Sequence, residues 1–424
     1  MTGYLTRIVD TDLDDLLRSL PAVAIEGPKG VGKTATAERR ARTRFRLDEP
    51  AQRELATADP HRLTTADPPV LIDEWQHVPA VWDAVRRAVD EDGSANRFLL
   101  TGSAAPDRTP THSGAGRIVT VRMRPLALAE RGLERPTVSL RELLKGERPE
   151  IGGATAVDLG SYAQEIVRSG FPGIRHLGGR ALRAQLDAYI DRVVDRDFVE
   201  QGHRVRRPET LRRWMAAYAA ATATTTSMDK IRNAATSVEG ATPTKVTVGV
   251  YRDVLERLWL IDPVPGWLPS RNHLTRLMQA PKHHLADPAL AARLLGADEG
   301  ALLTGTAAGG NTPRDGTLLG QLFESLVTQS VLVYAQAAEA RVRHLRTTAG
   351  RHEVDIIVER PDQRVLAIET KLSATVDDED TKHLRWLGEQ IGTDLLDAIV
   401  VTTGTHAYRR PDGIAVIPAV LLGP

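Results

Sequence analysis

AVAIEGPKGVGKTATAERRAR, residues 22–42, decides how the first part of this 424-residue chain folds. Ala22 to Ile25 read as a short buried strand, and the residues from Lys33 onward as a helix. Between them stand Gly27, four residues, and then Gly32, Lys33 and Thr34. This is the G-x-x-x-x-G-K-[ST] spacing in the strand-to-helix setting it requires. Glycines at 27, 30 and 32 let the loop Gly27, Pro28, Lys29, Gly30, Val31, Gly32 curl so that its backbone N–H groups face a phosphate chain. The following helix N-terminus adds its dipole. Lys33 then reaches the β- and γ-phosphates of ATP, and the Thr34 hydroxyl reaches a magnesium ion.

Working outward, VLIDEWQ (70–76) is a second apolar strand that ends in acids. Asp73 at its end suits Mg2+, directly or through water, and Glu74 is the natural base for an attacking water. RFLLTGS (97–103) is a third strand ending in small polar groups, so Ser103, or Thr101, is placed to sense the γ-phosphate. SGAGRIVTV (113–121) sets Arg117 just before another strand, either as a charge stabiliser for hydrolysis in a neighbouring subunit or as an ordinary pre-strand arginine. With FRLD (45–48) the order is that of an α/β domain with a parallel sheet, its phosphate site at the carboxyl ends of the strands. Together these motifs resemble AAA-type ATPases over residues 20–135.

Hydrophobic residues make up 42% of the chain and charged residues 26%, as in ordinary globular proteins. Lys plus Arg and Asp plus Glu number 55 each, so no global basic footprint advertises nucleic acid, and any contact with DNA must come from local clusters. Cysteine is absent, which excludes disulfides and thiolate metal sites. MTGYLTRIVDTDLDD carries acids where a signal peptide needs an apolar stretch, and no apolar run reads as membrane-spanning. The expectation is a cytoplasmic protein without a membrane partner.

Beyond residue 135 the pattern turns helical. RALRAQLDAYIDRVV puts Leu182, Leu186, Tyr189, Ile190 and Val193 on one face, suiting a lid or connector over residues 136–205. Arg192, Arg196, Arg204, Arg206, Arg207, Arg212 and Arg213 concentrate nearby, but Asp191, Asp195 and Asp197 interrupt them, so a solvated face is the simpler reading. Residues 206–270 run helix, turn, helix and then KVTVGVYRDVLERLWLIDPVPGW, which suggests a winged helix. Lys245 and Arg252 on its third helix are offset by Asp253 and Glu256, so DNA reading and packing against the ATPase both stay open. Residues 271–315 contain a Gly-, Thr- and Ala-rich run and read as a linker; KHHLADP within them reads as a polar loop.

Residues 316–424 form a last, small α/β domain. LLGQLFESLVTQSVLVY is a helix with an apolar stripe and Glu324 at its edge. HEVDIIVER and VLAIETKLS alternate as two strands around Pro361, Asp362 and Gln363. A hairpin pairing Arg360 with Arg364 sets Asp355 opposite Glu369 and Glu353 opposite Lys371. Two carboxylates so placed repel by roughly 3 kcal/mol at an effective dielectric of 20, unless a proton or a divalent cation lies between them. The alternative is a surface hairpin held by a Glu353–Lys371 ion pair. Asp355, Glu369 and Lys371, with Glu324, resemble the D…(D/E)-x-K site of restriction-endonuclease-like nucleases. The resemblance implies that the carboxylates hold magnesium and that the lysine orients or activates water.

Nearly the whole chain also resembles a bacterial and archaeal family that joins an AAA-type ATPase to a winged-helix segment and a C-terminal nuclease-like domain. The residues carrying this are SGFPGI, LERLWLIDPVPGW, HHLADPALAARLL, GQLFESLV and EVDIIVE…AIETKLS. Lys29 stands where such loops often have arginine, and Thr370 where the family often has valine. The fold expected is α/β: a P-loop ATPase domain at 1–135, a helical and winged-helix middle, and a restriction-endonuclease-like end. The resemblance implies an ATPase acting on or binding nucleic acid, or an ATP-operated switch whose last domain does not cut. An arginine acting in trans would require a homo-oligomer.

Overall fold

A computed structural model describes residues 3–103, 114–236, 242–269, 279–304, 316–347 and 350–424. Five parallel strands, β1 (Ala22–Glu26), β2 (Thr43–Arg46), β3 (Val70–Asp73), β4 (Phe98–Gly102) and β5 (Ile118–Arg122), make one sheet in the order β2-β3-β4-β1-β5. Alternation along these strands feeds two cores. Ala22, Ala24, Val70, Ile72, Phe98 and Leu100 pack with Val81, Trp82 and Val85 of the helix Ala80–Glu91. Val23, Ile25, Leu71 and Leu99 face the other way, toward Val9, Leu13 and Leu17 of the helix Ile8–Leu17. The parallel α/β arrangement read from the sequence is the one found, and the loop after β1 lies at the carboxyl end of the sheet.

The helices Leu159–Arg168, Gly179–Arg192, Pro208–Ala220, Met228–Ala234 and Lys245–Arg257 follow, with β6 (Val138–Ser139) before them. Two antiparallel bridges, Ile261 to Leu285 and Val264 to Lys282, come after the last of these helices, and β7 (Gly266–Trp267) lies between their outgoing residues and the return. The linker expected over 271–315 is corrected for residues 279–304; residues 271–278 and most of the Gly-, Thr- and Ala-rich run, 305–315, lie outside the described residues. Lys282 through Ala292 are buried, and the helix Pro288–Leu294 packs on the helix Leu159–Arg168. The Ala- and Leu-rich run PALAARLL supplies an apolar surface that a flexible connector would expose.

The last sheet runs in the order β12 (Tyr408–Arg409), β13 (Ala415–Pro418), β11 (Leu395–Thr402), β10 (Val365–Lys371), β9 (Glu353–Glu359), β8 (Arg341–Arg346) and β7. The hairpin register is the expected one: the Arg360 N–H donates to the Arg364 carbonyl, and Ile356 pairs with Ile368. Against the expectation of no spanning run, Thr317–Ala337 is a 21-residue helical stretch of mean hydropathy 1.2. It is 67% buried inside the protein, with Leu322, Phe323, Leu326 and Val331 in the core. It is therefore the central helix of this region.

The first and last regions share that core. The Leu128 N–H donates to Ser330 Oγ at 3.1 Å and the Ala129 N–H to the Tyr334 hydroxyl at 3.0 Å. β14 (Leu422–Gly423) pairs with β6 in a separate two-stranded sheet, so the chain's last strand closes on the segment that follows the first sheet.

Candidate functional site

The loop after β1 is built from the outside inward. A Cβ at Gly27 would lie 2.1 Å from the Met123 carbonyl oxygen, so only glycine lets β5's extension close over the loop. Gly30 and Gly32 have φ of 80° and 101°, where glycine alone is unstrained. Arg7, buried at 4% exposure, donates to the Val31 carbonyl at 2.9 Å and the Arg124 carbonyl at 2.7 Å, and is ion-paired to Glu130. The loop's shape is thus held by the arginine at the N-cap of the first helix, which sequence spacing gave no way to find.

Within this cradle Lys33 is buried, and its ammonium donates to the carbonyls of Gly27 and Pro28 at 2.9 Å each. Burial pushes its pKa down to about 8, a cation short of a partner anion despite Glu74 and Asp73 nearby. Thr34 Oγ1 donates to Asp73 Oδ1 at 2.8 Å, and the Thr101 hydroxyl donates to the same oxygen. Burial raises the Asp73 pKa against those two bonds. A hydroxyl and a carboxylate oxygen in contact are a hard-oxygen donor pair that fits Mg2+ beside a triphosphate.

Glu74 has φ 54° and ψ 46°, a left-handed backbone that costs a non-glycine residue of order 1 kcal/mol. Its carboxylate accepts from Ser103 Oγ at 2.8 Å and from the Gln76 amide. Strand ends β3 and β4 therefore bring together Asp73, Glu74, Thr101 and Ser103, as their order in the sequence suggested. Lys29 points outward instead: its ammonium binds Asp197 at 2.8 Å and Glu200 at 2.7 Å, and the Tyr189 hydroxyl donates to its carbonyl. Asp197 ends a π-helical turn, Val193–Asp197.

Arg117 is not brought to this site. β1 and β5 pair in parallel with Ala22 opposite Ile118 and Glu26 opposite Arg122, so Arg117 lies at the amino end of the sheet. It is exposed and ion-paired to Asp90 at 2.8 Å. At the carboxyl end of β5, Arg122 and, just beyond it, Arg124 are both bound to Asp262 at 2.8 Å.

A second cluster of charge lies at the end of the β9–β10 hairpin. Asp355 does not face Glu369 as a bare pair: its Oδ2 accepts from the Thr370 N–H at 2.9 Å and the Thr370 hydroxyl at 2.8 Å. Lys282, 1% exposed, fills the space between the acids, with its Nζ 2.6 Å from Glu324, 3.2 Å from Asp355 and 3.5 Å from Glu353. Burial disfavours the Asp355 charge, yet Lys282 and Thr370 hold its pKa below the usual range. Burial and the Asp355 charge push Glu324 up to about 8 and raise Glu369 well above the usual carboxylate range. Glu369 Oε2 is buried without a partner, while Lys371 lies 3.5 Å from Oε1 and 3.9 Å from Asp380. A cleft of about 550 Å³ opens beside Glu324, Asp355, Glu369 and Lys371.

This arrangement corrects two expectations. The Glu353–Lys371 pair does not form, because Glu353 turns to Lys282 and Arg346. Among the described residues no group of three or more His, Asp or Glu side chains is placed to hold a metal ion, although Glu324, Asp355 and Glu369 do converge. An ammonium occupies their midst. The polar loop expected at KHHLADP is likewise buried: His284 Nδ1 lies 3.2 Å from Ser325 Oγ, and Asp287 accepts from Ser169 Oγ and the Gly170 N–H. The signal missed was a single lysine beside apolar, bridge-forming residues.

Three family models match parts of the chain: an AAA domain at residues 19–131, and domains of unknown function at 159–301 (DUF8612) and 319–422 (DUF4143). The first 131 residues thus contain a P-loop ATPase domain, in agreement with the site just described. Uncharacterized proteins of Mycobacterium tuberculosis (Rv2008c) and Mycobacterium bovis (Mb2031c) are each 24% identical over 415 residues, covering 95% of this chain and 81% of theirs. Among solved structures, the Walker-type ATPase PABY2304 of Pyrococcus abyssi aligns with TM-score 0.39 and 14% identity, over 67% of this chain and 94% of that one.

Proposed function

We propose that the protein is a magnesium-dependent ATPase that acts as a nucleotide-operated switch, with a C-terminal nuclease-like domain that binds without cutting while Lys282 is in place. The convergence of Lys33, Thr34, Asp73, Glu74 and Ser103 at the carboxyl ends of β1, β3 and β4 carries the ATPase part. Lys33, now satisfied only by two carbonyls, would turn its ammonium to the β- and γ-phosphates. Thr34 and Asp73 would hold Mg2+, which neutralises phosphate charge when bound. Glu74 would take the proton of the attacking water, and Ser103 orients that carboxylate through its 2.8 Å bond.

The non-cutting reading of the last domain rests on Lys282. Phosphodiester hydrolysis of the D…(D/E)-x-K kind needs an ion among the carboxylates, and here a lysine ammonium has that place. The test is twofold. Lys33→Met should abolish ATP binding, and Glu74→Gln should bind ATP yet turn over at least 10²-fold more slowly. Wild type should leave plasmid and linear DNA uncut with Mg2+ or Mn2+, with or without ATP. Normal turnover by Glu74→Gln overturns the assignment of the base, and metal-dependent cutting that Asp355→Asn abolishes overturns the non-cutting reading.

A further inference from the structure

The cleft between the loop Gly202–Arg207 and the start of the helix Lys245–Arg257 is strongly cationic. It encloses about 630 Å³ and is lined by Arg204, Arg206, Arg207 and His203, with hydroxyls of Thr210, Thr244 and Thr247. Among the described residues no aspartate or glutamate lines it. Arg204, Arg206 and Arg207 are exposed, and none makes an ion pair among the described residues. That contrasts with neighbouring Arg212, which is tied to Asp191, Asp195 and Glu209. Like charges crowded in one cleft repel one another, so three guanidinium groups without an ion pair among the described residues suit an anion of matching size.

We infer that this cleft binds the phosphate backbone of duplex DNA, with the amino end of the helix Lys245–Arg257 presented to the major groove. The helix is the third after Pro208–Ala220 and Met228–Ala234, the position from which a recognition helix reads bases with its first residues. Val246 at that end is 78% exposed, an apolar side chain suited to a thymine methyl. Asp253 and Glu256, the acids that argue against DNA from the sequence alone, sit 8 and 11 residues beyond Lys245. At about 1.5 Å per residue they lie 12 Å or more farther along the helix, away from an end-on contact. Lys245 is bound to Asp229 at 3.0 Å and takes no part. An A-form RNA duplex is disfavoured because its deep, narrow major groove excludes a helix.

The inference is independent of the ATPase and of Lys282. It is tested by fluorescence anisotropy with a labelled 20-base-pair DNA duplex, comparing the full-length wild type with an Arg204→Ala/Arg206→Ala/Arg207→Ala variant across a salt series. Wild type should bind with a log–log salt slope that the variant makes shallower by about 3, at roughly 0.9 per phosphate contact. Affinity at low salt should fall at least 10-fold, while ATP binding and the circular dichroism spectrum stay unchanged. Val246→Ala should spare the salt slope and change the preference among duplex sequences. Equal binding by the triple variant, no duplex binding by wild type at low salt, or displacement of DNA by mononucleotide at equal phosphate concentration would each overturn it, the last pointing to a small phosphorylated ligand.

Discussion

Replacing Lys282 with methionine keeps an apolar stem of similar shape and removes the terminal ammonium that three neighbouring carboxylates share. At 3.2 Å from Asp355 and an effective dielectric of 20, the lysine contributes about 5 kcal/mol of attraction to that partner alone. Asp355 keeps its two bonds from Thr370, and Glu324 and Glu369 already favour their protonated forms, so the net loss is smaller than the pairwise sum. Breaking a buried pair by deleting one partner costs about 3–5 kcal/mol. A melting temperature lower by roughly 3–6 °C follows for a chain of this size. The loss should be greater at pH 8 than at pH 5.5, because protons can stand in for the missing ammonium only at the lower pH. The variant also vacates a position ringed by Glu324, Asp355 and Glu353, so Mn2+ should restore about 2.7 kcal/mol at one hundred times its Kd. Differential scanning fluorimetry with and without Mn2+, on wild type and variant, reads all of this. A wild type stabilised by Mn2+ as strongly as the variant, or a variant that melts like wild type, would refute the reasoning.

Wild-type stability should fall as pH rises from about 5 to 8. Glu324 and Glu369 have folded pKa values above their unfolded ones, so their contribution is complete below the unfolded pKa and lost as pH passes the folded value, about 8 for Glu324. Glu369→Gln should flatten this dependence in urea titrations, and an unchanged slope would place the protons elsewhere. Asp197→Asn frees Lys29 from half of its clasp, so ATP should bind about 2- to 5-fold tighter, matching the 0.5–1 kcal/mol typical of a partly exposed pair. Weaker binding measured by calorimetry would mean instead that the clasp shapes the loop for nucleotide.

The sequence alone determined what local chemistry enforces. Gly27 to Thr34 has only one use in a strand–loop–helix setting, and apolar runs ending in Asp73, Glu74, Thr101 and Ser103 place those groups at one edge of a parallel sheet. The hairpin register around Pro361, Asp362 and Gln363 was legible as well, because period-two alternation and a short turn leave one pairing that buries the apolar faces. The tertiary structure decided everything that depends on residues distant in the chain. Arg117 could be placed on a strand but not at an end of the sheet until the pairing of β1 with β5 fixed it at the amino edge. Arg7 supports Val31 across 24 positions, and Lys29 meets Asp197 across 168. Lys282 reaches Asp355 across 73 positions because the bridge from Val264 to Lys282 carries it beside the hairpin. Two facing carboxylates state that positive charge is needed between them; whether a proton, a metal ion or an ammonium from elsewhere in the chain supplies it is set by long-range packing that no local pattern encodes.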